Sequence, residues 1–283
     1  MRLLSPRELA EALGVSESSL KRWVDAGKIS AMRTDGGHRR ISVAEAVRYV
    51  RATGAPIAHP ELLGLPEVAA AMEREAYGED RLQVHLQAGD AVAARGWLMN
   101  RYLRGVSLAE LCDGPVREAM HALGTLWHGG ATGIFVEHRA TDVCLQALAH
   151  LRASFEPPAG APVALGGTPE NDPYLVPTTM AALVTAAAGL RAVNLGADTP
   201  VSALAAAVDH HRPVLVWVSA SAPLPPGRAR ALGEWIDSLP RATTIAIGGR
   251  ASDALATSHR RARKLPTMAA LSALAAKLAG GAD

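Results

Sequence analysis

The string PVALGGTPENDPYLVP, residues 162–177, reads as a short buried strand, a loop of glycine, proline and small polar residues, and the start of a helix. Apolar runs of strand length return at RAVNLG (191–196), VLVWVS (214–219) and TTIAIGG (243–249), and Ala-rich helical segments lie between them near 177–189, 200–210 and 226–238. Strands without polar alternation are buried on both faces, and strands separated by helices form parallel sheets. Residues 160–283 are therefore expected to form an open, doubly wound α/β unit. Such units hold ligands beyond the C-terminal ends of their strands. That singles out the loop 166–177, with Asp172 and Tyr174, then Ser219 and Ser221, then Gly248 and Gly249. Glycine lets a ligand approach the backbone, and serine donates hydrogen bonds.

Upstream of the PheGluProProAlaGlyAlaPro linker (155–162), residues 64–156 have helical periodicity, broken at Gly78, Gly89-Asp90, Gly105 and 129–133. Four or five helices packed as a bundle are expected. Before them PIAHPELL (56–63) has two prolines and no sustained period, and reads as a linker.

Residues 1–55 form a third unit. Ser5, Pro6 and Glu8 make a capping-box start for a first helix, and Ser16 caps a second, Glu17 to Ala26, with Leu20, Trp23 and Val24 on its inner face. AMRTDGGHRRIS (31–42) places a tight Asp-Gly-Gly turn between two short strands, and a third helix covers 43–52. A helix-turn-helix followed by an Arg-rich wing suits double-stranded DNA: the second helix enters the major groove and the wing neutralises phosphates. Ser18, Ser19, Lys21 and Arg22 on the helix and Arg33, His38, Arg39 and Arg40 on the wing are the candidate contacts. Charge agrees, since these 55 residues hold ten Lys/Arg against six Asp/Glu while the rest holds 19 against 21.

At 283 residues, 49% hydrophobic and 20% charged, the chain can build two or three packed domains, which excludes wholesale disorder. It has no apolar run of the roughly 20 residues a membrane span needs and no secretory leader pattern at its start, so a cytoplasmic location without membrane attachment is expected. Cys112 and Cys144 lack the spacing of a zinc site or disulfide pair and read as buried thiols. No Ser-His-Asp, metal-ligand or paired-carboxylate pattern suggests catalysis, so an enzyme is not expected.

Two strings carry a resemblance to known families. Residues 1–55 resemble the MerR-type winged-helix regulators, through SSLKRW (18–23) and RTDGGHRRI (33–41). The C-terminal unit is similar to the Rossmann-like cobalamin-binding fold: 41 residues separate Pro177 from Ser219 and 26 separate Ser221 from Gly248, the spacing of that family's loops. In LWHGGATGIFVEH (126–138), Trp127 is followed after nine residues by Glu137-His138, as in the CarH/LitR group of light-responsive, cobalamin-dependent MerR-type repressors. The resemblance implies that Trp127 shields the upper face of a corrin, that Glu137 and His138 lie near its upper ligand, and that His128 is a candidate upper cobalt ligand after light breaks the cobalt–carbon bond. It further implies a homo-oligomer, dimer or tetramer, that binds operator DNA and responds to its ligand.

The sequence departs from the family at one place. Tyr174 stands where the lower axial histidine is expected, and a phenol with a pKa near 10 is a poor cobalt ligand at neutral pH. Three readings follow. Cobalamin, as adenosylcobalamin or another corrinoid, binds without a protein ligand below the metal; or the site takes biliverdin or another linear tetrapyrrole; or the site is vestigial and the protein regulates without a small ligand. A corrinoid carrier protein of a methyltransferase shares the bundle and α/β fold, but has no use for a winged helix.

Overall fold

In a computed structural model of the chain, residues 3–76, 81–155, 157–256 and 261–281 are described. They divide into two compact units. One contains the described residues up to Ser107 together with Pro115–Phe155; the other contains Leu108–Gly114 and the residues after Phe155.

The first unit opens with strand β1 (Leu3–Leu4), then helices α1 (Pro6–Ala12) and α2 (Glu17–Asp25), strands β2 (Met32–Arg33) and β3 (Arg39–Ser42), and helix α3 (Val43–Thr53). Local chemistry sets these limits. The Glu8 amide donates to Ser5 Oγ at 3.2 Å while the Ser5 amide donates to Glu8 Oε2 at 2.7 Å, the reciprocal capping box. Ser16 and Ser42 cap α2 and α3 by accepting from the amides of Ser19 and Glu45, without the reciprocal bond. β3 is the centre of a small antiparallel sheet, with β2 on one side and β1 on the other. Strand β1, only two residues long, has no pattern of its own and exists because β3 offers it an edge. Leu20 is fully buried, whereas Trp23 and Val24, expected on the same inner face, are half-buried; the Trp23 ring lies 5.3 Å from that of Tyr49.

The stretch 56–63, read as a linker, is partly structured. Pro60–Leu63 form a 3-10 helix with Pro60 and Leu63 buried, and the amides of Ala58 and His59 donate to the Ala12 carbonyl. A proline at the first helical position presets φ without losing a bond, so this short turn packs instead of wandering.

Helices α4 (Pro66–Ala76), α5 (Leu82–Ala88), α6 (Ala91–Leu103) follow, then α7 (Leu108–Leu111), α8 (Arg117–Gly124) and α9 (Gly130–Arg152). Of these, α4, α5, α6, α8 and α9 build the bundle, and a 3-10 turn, Thr125–Gly129, joins the last two. The break expected at Gly78 lies outside the described residues. The α4–α6 crossing is close: a Cβ on Gly96 would sit 2.2 Å from the Glu67 carbonyl oxygen. No described helix is long and apolar enough to cross a membrane.

The second unit is a five-stranded parallel sheet covered by helices. Strands β4 (Val163–Gly167), β5 (Arg191–Asn194), β6 (Leu215–Ser219), β7 (Thr244–Gly248) and β8 (Ala262–Lys264) alternate with α10 (Leu175–Ala187), α11 (Val201–His211), α12 (Pro226–Ser238) and α13 (Asp253–Ala256), and α14 (Met268–Gly280) ends the chain's described part. Their order is β5-β4-β6-β7-β8. After β4 the chain first goes to one side and later returns to the other, so the switch point, where ligands bind in such sheets, lies between β4 and β6. The core joins Leu165, Val216, Val218, Ile245 and Ile247 of the strands to Leu204, Leu232 and Ile236 of the helices. Leu108–Gly114 belong here rather than with the bundle helices that flank them in sequence: Asp113 accepts from the Met268 and Ala269 amides at 2.8 and 2.9 Å and so fastens the N-terminus of α14.

Candidate functional site

At the switch point the loop after β4 is tied to the loop after β6 by Asp172. This carboxylate is 1% exposed and accepts from the backbone amides of Ser221, Ala222 (2.9 Å) and Tyr174 (3.1 Å). Three amides satisfy the acceptor atoms of this buried carboxylate. Thr168 Oγ1 donates to the Asp172 carbonyl and accepts from the Asp198 amide, which extends the same brace to the loop after β5. Asp172 therefore shapes the crevice from within. Ser219 and Ser221 are 5% and 8% exposed, and Gly248 pairs with Ser219 at the same end of the neighbouring strand, with Gly249 following it. A Cβ on Gly249, whose φ is +93°, would meet the Ala220 carbonyl oxygen at 2.2 Å, so these two loops approach each other only because the residue is glycine.

Tyr174 precedes α10 and is 46% exposed, with the Arg250 guanidinium 5.1 Å from its ring centroid. Arg250, two residues after the first glycine of the pair, was not singled out from sequence; its position in a post-strand loop was the available signal. Asn171 beside it takes a left-handed φ of +67°, and its amide oxygen, facing Arg228, accepts from that guanidinium at 2.7 and 2.8 Å. The described histidines of this unit are His210 and His211, at the end of α11 that leads into β6 and so at the opposite edge of the sheet from the crevice.

In the first unit, the residues Trp127, Glu137 and His138 come together. The indole Nε1 donates to Glu137 Oε2 at 3.1 Å, the Trp127 and His138 rings lie 5.7 Å apart, and Thr141 Oγ1 donates to the other Glu137 oxygen at 2.9 Å. Glu137 is held from two sides. His138 Nδ1 faces two acceptors, the Ile134 carbonyl at 2.9 Å and Glu137 Oε2 at 3.1 Å, so a ring proton belongs on Nδ1. Trp127 is 51% and Phe135 57% exposed, an unusual cost for two large aromatic groups. His128 is exposed in the 3-10 turn beside Trp127. Phe135, one turn from the Arg139 guanidinium that lies 4.9 Å from its ring, was missed from sequence because a lone aromatic on a helix carries no motif. Burial pushes the Cys144 thiol up to about 12, which removes it as a nucleophile or metal ligand at neutral pH.

The candidate nucleic-acid residues divide into free and engaged groups. Ser18 and Ser19 share hydrogen bonds with Ser16 Oγ at 2.9 Å each, Arg22 donates to Ser19 Oγ at 3.3 Å, and Lys21 pairs with Glu17 at 2.8 Å. Arg39 is bound to Asp25 at 2.5 Å, which holds the wing to α2. Arg33, His38 and Arg40 form no ion pair among the described residues. Arg40 and Met32 are directly paired across the β2–β3 ladder and share the face opposite to buried Ile41.

Two stretches of the chain match known families. Residues 3–53 match the family described as a helix-turn-helix domain, and residues 79–152 match the family described as a B12 binding domain. No curated protein matches the chain. Among solved structures, the monomethylamine corrinoid protein of Methanosarcina barkeri is 14% identical, with 70% of this chain and 96% of that one covered and a TM-score of 0.51, which shows a shared fold. The methanol:cobalamin methyltransferase complex MtaBC of the same organism is 16% identical over 71% of this chain and 78% of that one, with a TM-score of 0.37. A cobalamin-binding protein from Desulfitobacterium hafniense DCB-2 is 16% identical over 69% of this chain and 96% of that one, with a TM-score of 0.36. The chain thus joins an N-terminal helix-turn-helix domain to a B12 binding domain, the combination found in the CarH/LitR-type regulators that its sequence resembles.

Proposed function

We propose that the protein is a transcriptional repressor, and not an enzyme, whose hold on operator DNA is set by a tetrapyrrole and by light. The observation that carries this reading is the Trp127–Glu137–His138 array: an exposed indole, a carboxylate and an imidazole are already locked together, in a chain that begins with a helix-turn-helix domain. A flat macrocycle needs an apolar lid and a few fixed polar groups. Trp127 supplies the lid, Glu137 fixes the indole and the His138 ring, and Nε2 of His138 and the exposed imidazole of His128 are the groups that face chemistry above the ligand.

The strand ends of the second unit carry a fit of their own. Ser219, Ser221, Gly248 and Gly249 suit a narrow nucleotide tail, and Asp172 holds the loop of the two serines in place. The donor set at 174 does not suit a histidine-ligated corrinoid, because the side chain there is a phenol. The fit is therefore to a corrinoid that takes no protein base from below. When bound, the ligand supplies absorption of visible light. A linear tetrapyrrole such as biliverdin is the second reading, favoured by the exposed Tyr174–Arg250 pair, whose cation suits a propionate.

Switching then follows from valency. One winged helix binds modestly, while two or more held in a dimer or tetramer gain avidity by about 10² to 10⁴ without any new contact. The test is the size of the full chain, and its affinity for operator DNA, in darkness and after illumination with adenosylcobalamin or biliverdin added. A light-dependent change in both supports the proposal. Identical size and affinity under all conditions would overturn it.

A further inference from the structure

Between α3 and helices α4 and α6, all within the first unit, lies a cavity of about 650 Å³. That is the size of small-molecule sites, and its lining includes no member of the Trp127 array. The lining joins the apolar side chains of Val68, Met72 and Leu103 to the charged groups of Arg51, Glu75 and Arg104. The charges do not balance. Glu75 already serves Arg104 at 2.6 Å, Arg101 at 3.7 Å and the Asn100 amide at 3.0 Å. Arg51 lies 4.4 Å from the centroid of the Tyr102 ring and donates to the Tyr102 carbonyl at 2.7 Å, with no carboxylate partner among the described residues. The lining thus carries one acid, already paired with Arg104, and a second guanidinium, Arg51, beside an apolar wall.

We infer that this cavity is a second ligand site, for a small amphipathic carboxylate whose anionic end pairs with Arg51 and Arg104 and whose apolar body lies against Val68, Met72 and Leu103. Arg51 is on α3, directly after the wing strand, and Arg104 ends α6 of the bundle. A bound anion therefore joins the DNA-reading head to the bundle through two charge-assisted contacts, and gives the regulator an input separate from the tetrapyrrole.

The test is calorimetric titration of the full-length chain with 2-naphthoate, compared with the neutral 2-naphthamide. Saturable binding of one equivalent, about tenfold tighter for the acid than for the amide, is expected. Arg104→Gln should remove that preference, and Met72→Trp, which fills the space, should abolish binding in a chain whose circular dichroism and melting are unchanged. Trp127→Ala should bind 2-naphthoate as the parent does. Absence of saturable binding, equal affinity for acid and amide, or binding lost in Trp127→Ala but kept in Met72→Trp would overturn the inference.

Discussion

Arg39 and Arg40 are neighbours in sequence, but the pleat of β3 sends them to opposite faces, and their removal should have different effects. Arg40→Ala is expected to weaken operator binding for all sequences and to reduce the slope of log affinity against log salt by about 1, the signature of a lost phosphate contact. Arg39→Ala removes the bond to Asp25 and should lower stability by up to about 1 kcal/mol with a smaller effect on that slope. Fluorescence anisotropy at several salt concentrations separates the two. Asp172→Ala belongs to the same scale. It strands the buried Ser221 and Ala222 amides, and a loss of about 2–4 kcal/mol in urea unfolding is expected. The sequence marked Asp172 as a ligand-facing acid; its partners lie 49 and 50 residues further along, which no local spacing can show. Trp127, Glu137 and His138 were legible because a single turn and the helix that follows it bring them together. The Tyr174–Arg250 contact was not, because it joins two loops that meet only once the sheet has formed.

At the scale of elements, the bundle contains a buried carboxylate, packed against an imidazole, that makes its stability depend on pH. Glu67 on α4 is 7% exposed, and His150 Nε2 on α9 lies 2.9 Å from its Oε1. Burial alone would raise the Glu67 carboxyl; the close approach of His150 and the nearby Arg95 guanidinium hold it below its usual value of 4.5. A depressed carboxylate contributes stability above its unfolded value and loses it as pH falls through the folded one. The melting-temperature gap between the parent and Glu67→Gln should therefore be open above the ordinary carboxylate range and close as pH falls through and below it. A gap that persists at the acid end would contradict the pair's role. The strand and helix pattern from 163 to 249 was readable because a parallel sheet demands uninterrupted apolar runs. What followed was not. Ala262–Lys264 form an edge strand with two exposed residues, and α14 is an Ala-rich helix fastened by Asp113 from a distant stretch that sequence periodicity assigns to the bundle. Gly166 shows a related limit: a Cβ there would sit 2.3 Å from the Trp217 indole, a constraint set by the neighbouring strand.

The order of parts over the whole molecule was legible, since helix caps, an Arg-rich wing, helical breaks and alternating strands each leave a distinct mark. Assembly leaves none in one chain, because a self-complementary surface has no periodic sequence signature. The central proposal is that Trp127 and its partners serve a tetrapyrrole. It is tested most directly by reconstituting the full chain separately with adenosylcobalamin and biliverdin in darkness, desalting, and recording the absorption spectrum of the retained pigment. Near-stoichiometric retention of one of them by the parent chain, and its loss or spectral change in Trp127→Ala, is the expected result. A parent chain that emerges colourless from both, or a Trp127→Ala chain with unchanged retention and spectrum, would contradict the claim.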